Sequence, residues 1–240
     1  MEQTNSRVST PPLRRFSDAE MRILLTQSLE NWVGADAIDD KLSAFKWIQF
    51  ALFLALDWAT MERGLDLVET HVSQCALIPP ADGSEGFTLR YHSSRRKTVR
   101  KPADIGPPID ILPSGDECDV ANIFRCHLEA ALALGTDLGT GPLFLAVRLH
   151  KRNGNPPGIG GPLTTAALRK QLASLCVSTG VPHAALHASR RGKSSSLIAV
   201  GECPKKIKVV GGWKSNKVAY DYMGISASKR HRTISPPASS

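Results

Sequence analysis

The residues from Lys41 to Met61 constrain the fold of this 240-residue chain more than any others. They read KLSAFKWIQFALFLALDWATM, and apolar side chains fall on nearly every face of the helix they would make. A helix that is apolar all round has no solvent side, so other elements must wrap it. Its most apolar part, IQFALFLAL, is too short to span a bilayer and is flanked by Lys46 and Asp57. The expectation is a buried central helix in a chain long enough for one good core.

The neighbouring segments suit that role. Ser17 followed by Glu20 reads as a capping box for a first helix over Asp18–Trp32. A short helix is expected over Gly64–Glu69. The period then changes: HVSQCALI and GFTLRYHSS alternate as strands do, joined by the turn-rich PPADGSEG. A third strand near Ala103–Ile111 is interrupted by prolines and would lie at an edge. Helical patterning returns over Asp116–Leu134 and Leu163–Ser178, the latter capped by Thr164 or Thr165 and stopped by Gly180. PLFLAVRL fits strand or helix. HKRNGNPPGIGGP reads as a long connection that moves or touches a partner. Leu186–Gly224 holds two or three more helices. Residues 1–14 read as a disordered arm and 225–240 as a basic flexible tail. The fold class expected is mainly α with a small antiparallel β-hairpin sheet (α+β).

Lysine and arginine number 30 against 22 acidic residues, and this surplus points to a polyanionic partner. The five cysteines are scattered with no C-x-x-C pair, which argues against a disulfide framework or zinc ribbon and for a reducing compartment. No basic-then-apolar signal opens the chain.

Four groups carry candidate chemistry. His187 and Arg190 are three apart at a helix start and share a face. Gly211-Gly212-Trp213 precedes Tyr222 by nine residues from the tryptophan, with Tyr220 about 200° away on the same helix. Arg63 stands three before Asp66, which would orient it by a charge-assisted hydrogen bond; a plain helix-end salt bridge is the simpler reading. Lys97 lies in a tip with Arg90, Arg95, Arg96, Arg100 and Lys101, suited to phosphate contacts or to ordinary solvation. Arg191 points elsewhere on its helix and would make a phosphate-backbone or structural contact, and Lys151 and Arg152 add charge in the glycine-rich connection. Imidazole, guanidinium and phenol together can move a phosphoryl group by attack of a side-chain oxygen.

In this order the groups resemble the catalytic domain of the tyrosine recombinases, the integrase and Cre-like family. HASRR is similar to the family's H-x-x-R box, RGLDL to its R-x-x-E-L box with Asp66 for glutamate, and RRKTVRKP to its β-hairpin lysine turn. GGWKSNKVAYDYM resembles the box that runs to the family's tyrosine. The resemblance spans residues 16–224 and implies a fold of the DNA breaking-rejoining type over 15–224. It further implies Tyr222 as nucleophile forming a 3′-phosphotyrosyl bond, and Arg63 and Arg190 as clamps on the phosphate oxygens. Lys97 would be the general acid, with Arg96 and Lys101 as competitors. His187 would move a proton, and Trp213 would support the phosphate and the tyrosine helix. Neither metal nor cofactor is implied. Duplex DNA is the implied partner, with assembly into tetramers on it, inside the cell and away from membranes, for a mobile-element integrase or recombinase. A type IB topoisomerase and a non-cleaving DNA-binding remnant are the alternatives.

Residues 1–14 carry no pattern like the family's helical core-binding domain and residues 225–240 none like its apolar docking helix, so the expectation is a catalytic domain alone. Met61-Glu62 also stands where glycine-leucine is usual before the first arginine.

Overall fold

The computed structural model describes residues 14–81, 83, 85–93, 107–151 and 154–225. Helix α1 (Asp18–Ala37) starts on the expected capping box: Glu20 N–H donates to Ser17 Oγ, and Ser17 N–H donates to the Glu20 carboxylate. It continues five residues beyond Trp32, because Gly34 alone does not stop a helix; the chain turns at Asp39, with φ 56°. Asp40 then caps α2 (Lys41–Thr60) by accepting from Ser43 N–H at 3.1 Å.

Helix α2 is the centre of the fold. Phe50, Ala51, Leu52 and Phe53 step around a full turn of it, and all are buried. Helices α1, α4 (Val120–Ala133) and α6 (His187–Ala199) pack around it. It is long and apolar enough to cross a bilayer, but 67% of its apolar window is buried inside the protein, as a core helix requires. One polar residue also serves the core. The Gln49 amide donates to the Leu145 carbonyl at 2.8 Å and accepts from Leu145 N–H at 2.6 Å, fixing strand β4 (Leu145–Arg148) across the helix.

Helix α2 ends at Met61, whose φ of 52° and ψ of 30° are left-handed. Such a residue costs about 1–2 kcal/mol when it carries a Cβ. The methionine side chain is 1% exposed among Ile207, Trp213, Ala219 and Met223, and burying it recovers about 1.5–3 kcal/mol. The departure from glycine therefore keeps the backbone turn and adds an apolar tie to the C-terminal helices. Arg63 follows in extended conformation as the N-cap of α3 (Gly64–Val68).

Strands β1 (Cys75–Ile78), β2 (Thr88–Tyr91) and β3 (Ile109–Ile111) form an antiparallel meander with Leu89 opposite Ile111. Of the expected third strand, residues 107–111 are described and the last three of them form β3, while the basic tip between β2 and β3 lies outside the described residues. Helix α4 begins at Val120, not Asp116, because Asp119 takes the cap position and accepts from Asn122 N–H at 2.9 Å. The ambiguous apolar run is strand β4. It pairs with β5 (Gly158–Pro162), so the glycine-rich stretch read as a connection ends in a strand. Glycine weakens strand patterning, and Pro162 is tolerated at the strand end, which is why the pairing leaves little mark in the sequence. The small sheet of the expectation is therefore two sheets.

Helix α5 (Thr165–Thr179) is capped by Thr164 and ends on Gly180, with φ 70°. Helices α6, α7 (Pro204–Val210) and α8 (Asn216–Met223) fill the C-terminal region, the upper of the two numbers expected.

Candidate active site

Helix α6 opens with His187 and presents Arg190 one turn later. Arg190 is only 4% exposed. Its Nη2 donates to the Gly211 carbonyl, and its guanidinium carbon lies 4.6 Å from the centre of the Trp213 ring and 5.5 Å from that of Tyr222. The Nε is buried and has no hydrogen-bond partner among the described residues.

The Gly-Gly-Trp motif has a local cause. A Cβ on Gly211 would lie 2.1 Å from the Trp213 ring, so the indole can fold back over the end of α7 only across a glycine. Gly212 has φ 62°, the left-handed turn that returns the chain toward α8. Helix α8 then buries Ala219 and Met223 and brings the Tyr222 ring to 5.0 Å from Trp213. The ring and cation contacts fall on Tyr222. Tyr220 only packs against the small apolar cluster beneath.

Arg191 corrects the sequence reading. It does not point away from the site: its guanidinium carbon is 4.4 Å from the centre of the Tyr222 ring, closer than that of Arg190. The 100° step between neighbours on α6 separates the two arginines, and the Tyr222 ring is wide enough to meet both. A second correction concerns Arg63 and Asp66. Arg63 Nη1 and Asp66 Oδ2 are 3.8 Å apart, an ion pair and not the expected hydrogen bond, because Arg63 is the extended cap while Asp66 is already in the helical turn.

The electrostatics join these residues. His187 is exposed at the rim, where partial burial and then the charges of Arg190, Arg63, Arg191 and Arg169 push its imidazole below the ordinary value. It is therefore a neutral proton acceptor near pH 7. Burial lowers Arg190 to about 10; Tyr222 opposes the shift, and Arg63 adds to it. Burial, followed by Glu62, raises Asp66, and the two arginines only partly offset this.

Of the other cations, Arg90 is engaged in a cross-strand pair: its Nε and Nη2 meet the Asp110 carboxylate at 2.7 and 2.8 Å. One edge of its guanidinium is thus taken by a carboxylate on the sheet. Lys151 is exposed after β4. Lys97, Arg95, Arg96, Arg100, Lys101 and Arg152 lie outside the described residues. Among the described residues no cluster could hold a metal ion. The sequence reading missed the lysines beside Trp213: Lys205, Lys214 and Lys217 are exposed on and after α7, and Lys208 donates to Asn216 Oδ1 at 2.6 Å. The run PKKIKVVGGWKSNK carried that signal.

It also missed Asp57, a carboxyl fully enclosed beneath the first turn of α6. Burial raises it to about 7 against a hydrogen bond from Ser189 and the nearby charge of Arg190. Ser189 Oγ contacts both Asp57 Oδ2 and the Leu186 carbonyl, but its single hydrogen serves one acceptor. A protonated Asp57 satisfies both, donating to Ser189 while Ser189 donates to Leu186. The sign follows: the folded state keeps this proton up to about pH 7, whereas the unfolded chain releases it near 4. The contribution to stability is full below the lower value and is lost as pH rises through the higher one, with a slope of at most about 1.4 kcal/mol per pH unit. Asp57→Asn, whose amide can donate to Ser189 at any pH, is expected to flatten this slope in urea unfolding between pH 5 and 7.5. Equal slopes in the two proteins would show that Asp57 ionises as an ordinary carboxyl.

No family model and no curated protein matches this sequence. Solved structures do. The chain superposes on the XerH site-specific recombinase bound to a palindromic difH substrate in its post-cleavage complex, with TM-score 0.58 and 14% identity. It superposes on XerA recombinase with TM-score 0.57 and 15% identity, and on the Tn1549 transposon integrase in complex with transposon right end DNA with 0.54 and 14%. The fold is that of a tyrosine recombinase catalytic domain. These alignments cover 93–95% of this chain and 54–65% of the others, so the chain spans between about half and two thirds of their length. The expected fold type agrees with that likeness.

Proposed function

We propose that this chain cleaves and rejoins duplex DNA through Tyr222, as a site-specific recombinase. The observation that carries the proposal is the meeting of the Tyr222 phenol, the buried Arg190 guanidinium and the Trp213 indole in one contact group. His187, kept neutral, stands on the same helix face, and Arg63 is within electrostatic reach of both. The surplus of eight positive charges suits a polyanion.

In the proposed step the Tyr222 oxygen attacks a phosphodiester phosphorus, and the bond from phosphorus to the 5′-oxygen breaks. A 3′-phosphotyrosyl ester forms, His187 takes the phenol proton, and the departing 5′-oxygen gains a proton from Lys97. Arg190 Nε, unpartnered among the described residues, and Arg63 donate to the non-bridging oxygens as charge develops on them. Attack by a 5′-hydroxyl on the ester reverses the step, and a 5′-hydroxyl from another strand makes it recombination. The sequence uses neither metal nor nucleotide, because the ester conserves the bond energy.

The test is to trap the protein on duplex DNA bearing a nick or a 5′-bridging phosphorothiolate, then digest the denatured complex and identify the linked peptide. The nucleotide is expected on Tyr222. A link to Tyr220 would reassign the nucleophile. No adduct on any duplex, with retained salt-sensitive binding, would favour a DNA-binding remnant.

A further inference from the structure

The segment leading into α1 makes contacts that a helix start does not need. Phe16 is buried in the main core, and its N–H donates to the Ala188 carbonyl of α6 at 3.1 Å. The backbone lies so close to α6 that a Cβ on Gly192 would stand 1.8 Å from the Phe16 carbonyl oxygen. Arg14 Nε donates to the Pro182 carbonyl at 2.9 Å, and Asp18 accepts from Ser196 Oγ. Residues 14–18 therefore run as a strap along the helix that carries His187 and Arg190.

Arg15 extends this strap to the tyrosine helix. Its Nη1 donates to Ser195 Oγ at 2.7 Å. That hydroxyl lies 2.9 Å from the Arg191 carbonyl and 3.5 Å from the carbonyl of Tyr222 itself, the second contact at the outer limit for a hydrogen bond. The Arg15 guanidinium also rests on Gly224, the left-handed residue that ends α8, where a Cβ would meet Nη1 at 2.4 Å. The strap thus reaches α8 where its last carbonyls have no intrahelical partners, the end that favours a cation.

Two effects oppose that attraction. Burial and then the charge of Arg191 both disfavour a cation at Arg15, so its charge alone does not explain its position. Contacts within α8 do not explain it either: the helix has eight residues, and its Ser215 cap makes no side-chain hydrogen bond. A helix this short is marginal alone and takes its position from what holds its ends.

We propose that Arg15 is a positioning residue that, through Ser195 and Gly224, holds the C-terminal end of the helix carrying Tyr222 against α6. The proposal rests on the reading of Tyr222 as nucleophile for its consequence in catalysis, but the mechanical part stands on these contacts alone. Arg15 touches neither the phenol nor the phosphate. It acts on where the phenol oxygen sits, and a displacement of about 1 Å at a reacting atom costs on the order of 100-fold in rate.

The experiment compares the wild-type chain with Arg15→Ala, Arg15→Lys and Ser195→Ala. Amide hydrogen exchange is read over Ala219–Ile225 with α4 as internal control, alongside duplex affinity and the rate of covalent adduct formation. Arg15→Ala is expected to speed exchange in α8 about tenfold or more and leave α4 unchanged. It is also expected to slow adduct formation at least about tenfold while duplex affinity stays near the wild-type value. Arg15→Lys should restore part of both, and combining Arg15→Ala with Ser195→Ala should add little, since the two act in one chain of contacts. Unchanged exchange in α8 would overturn the proposal whatever the activity. Faster exchange with an unchanged cleavage rate would also overturn it, since the strap would then steady the helix without placing the phenol. A wild-type protein that forms no adduct would instead sink the recombinase reading, and exchange would still decide whether the strap holds α8.

Discussion

Tyr222→Phe is expected to abolish the covalent DNA adduct while leaving the fold and duplex affinity intact. Losing the nucleophile of a covalent mechanism costs on the order of 10⁶-fold, which here means no detectable product. The substitution removes one oxygen and keeps the ring, so the Trp213 contact at 5.0 Å and the stacking of Arg190 and Arg191 on its face survive. Melting temperature and salt-dependent binding should therefore match the wild type. Tyr220→Phe is the control. Tyr220 packs against the same apolar cluster as Tyr222, but the guanidinium and indole contacts among the described residues fall on the Tyr222 ring, so loss of the Tyr220 oxygen should leave adduct formation near the wild-type level. If Tyr220→Phe removes the adduct and Tyr222→Phe does not, the contact group around Arg190 is structural.

The parts of this fold that were legible in the sequence are those that local physics dictates. The all-round apolar run forced α2 into the core, and the Ser17–Glu20 box set the start of α1. The Gly-Gly-Trp motif could be read as a turn followed by an aromatic. The reason the first glycine must lack a Cβ, an indole folded onto it, is a tertiary fact. Strand β5 was hidden because glycine and proline carry no strand pattern, and its partner β4 supplies the pairing. Arg191 was misplaced because helical angles were counted on α6 alone. The reach of a guanidinium to a ring on another helix depends on how α6 and α8 cross, which no spacing rule contains. Asp57 did leave a trace, as an acid inside an apolar helix. Its meaning required Ser189 opposite it, 132 residues away. Arg15 left none, since an arginine before a helix cap is unremarkable until it is seen resting on Gly224.

Arg190→Lys is expected to lower the rate of adduct formation by about 10²–10³-fold, the loss usual for removal of a donor aimed at developing charge. Three features of the site oppose the exchange although it keeps a formal positive charge. The guanidinium carbon sits 4.6 Å from the centre of the Trp213 ring, and an ammonium lacks the delocalised plane that suits an aromatic face. One arm bonds the Gly211 carbonyl while Nε has no partner among the described residues, so in the proposed role arginine would serve the backbone and the phosphate at once; a single ammonium on a flexible stem cannot hold both in fixed directions. Burial has already lowered the guanidinium to about 10 from its ordinary 12.5. The same environment acting on an ammonium, which starts near 10.4, brings it toward neutrality, so the variant loses its cation as pH rises. The residual activity of Arg190→Lys should therefore fall between pH 7 and 9, where arginine remains charged. Measuring adduct formation across that range with both proteins separates this account from a general loss of folding, which melting temperature would report at every pH. A variant within tenfold of wild type and flat in pH would show that Arg190 holds the Gly211 turn and leaves the phosphate to other groups.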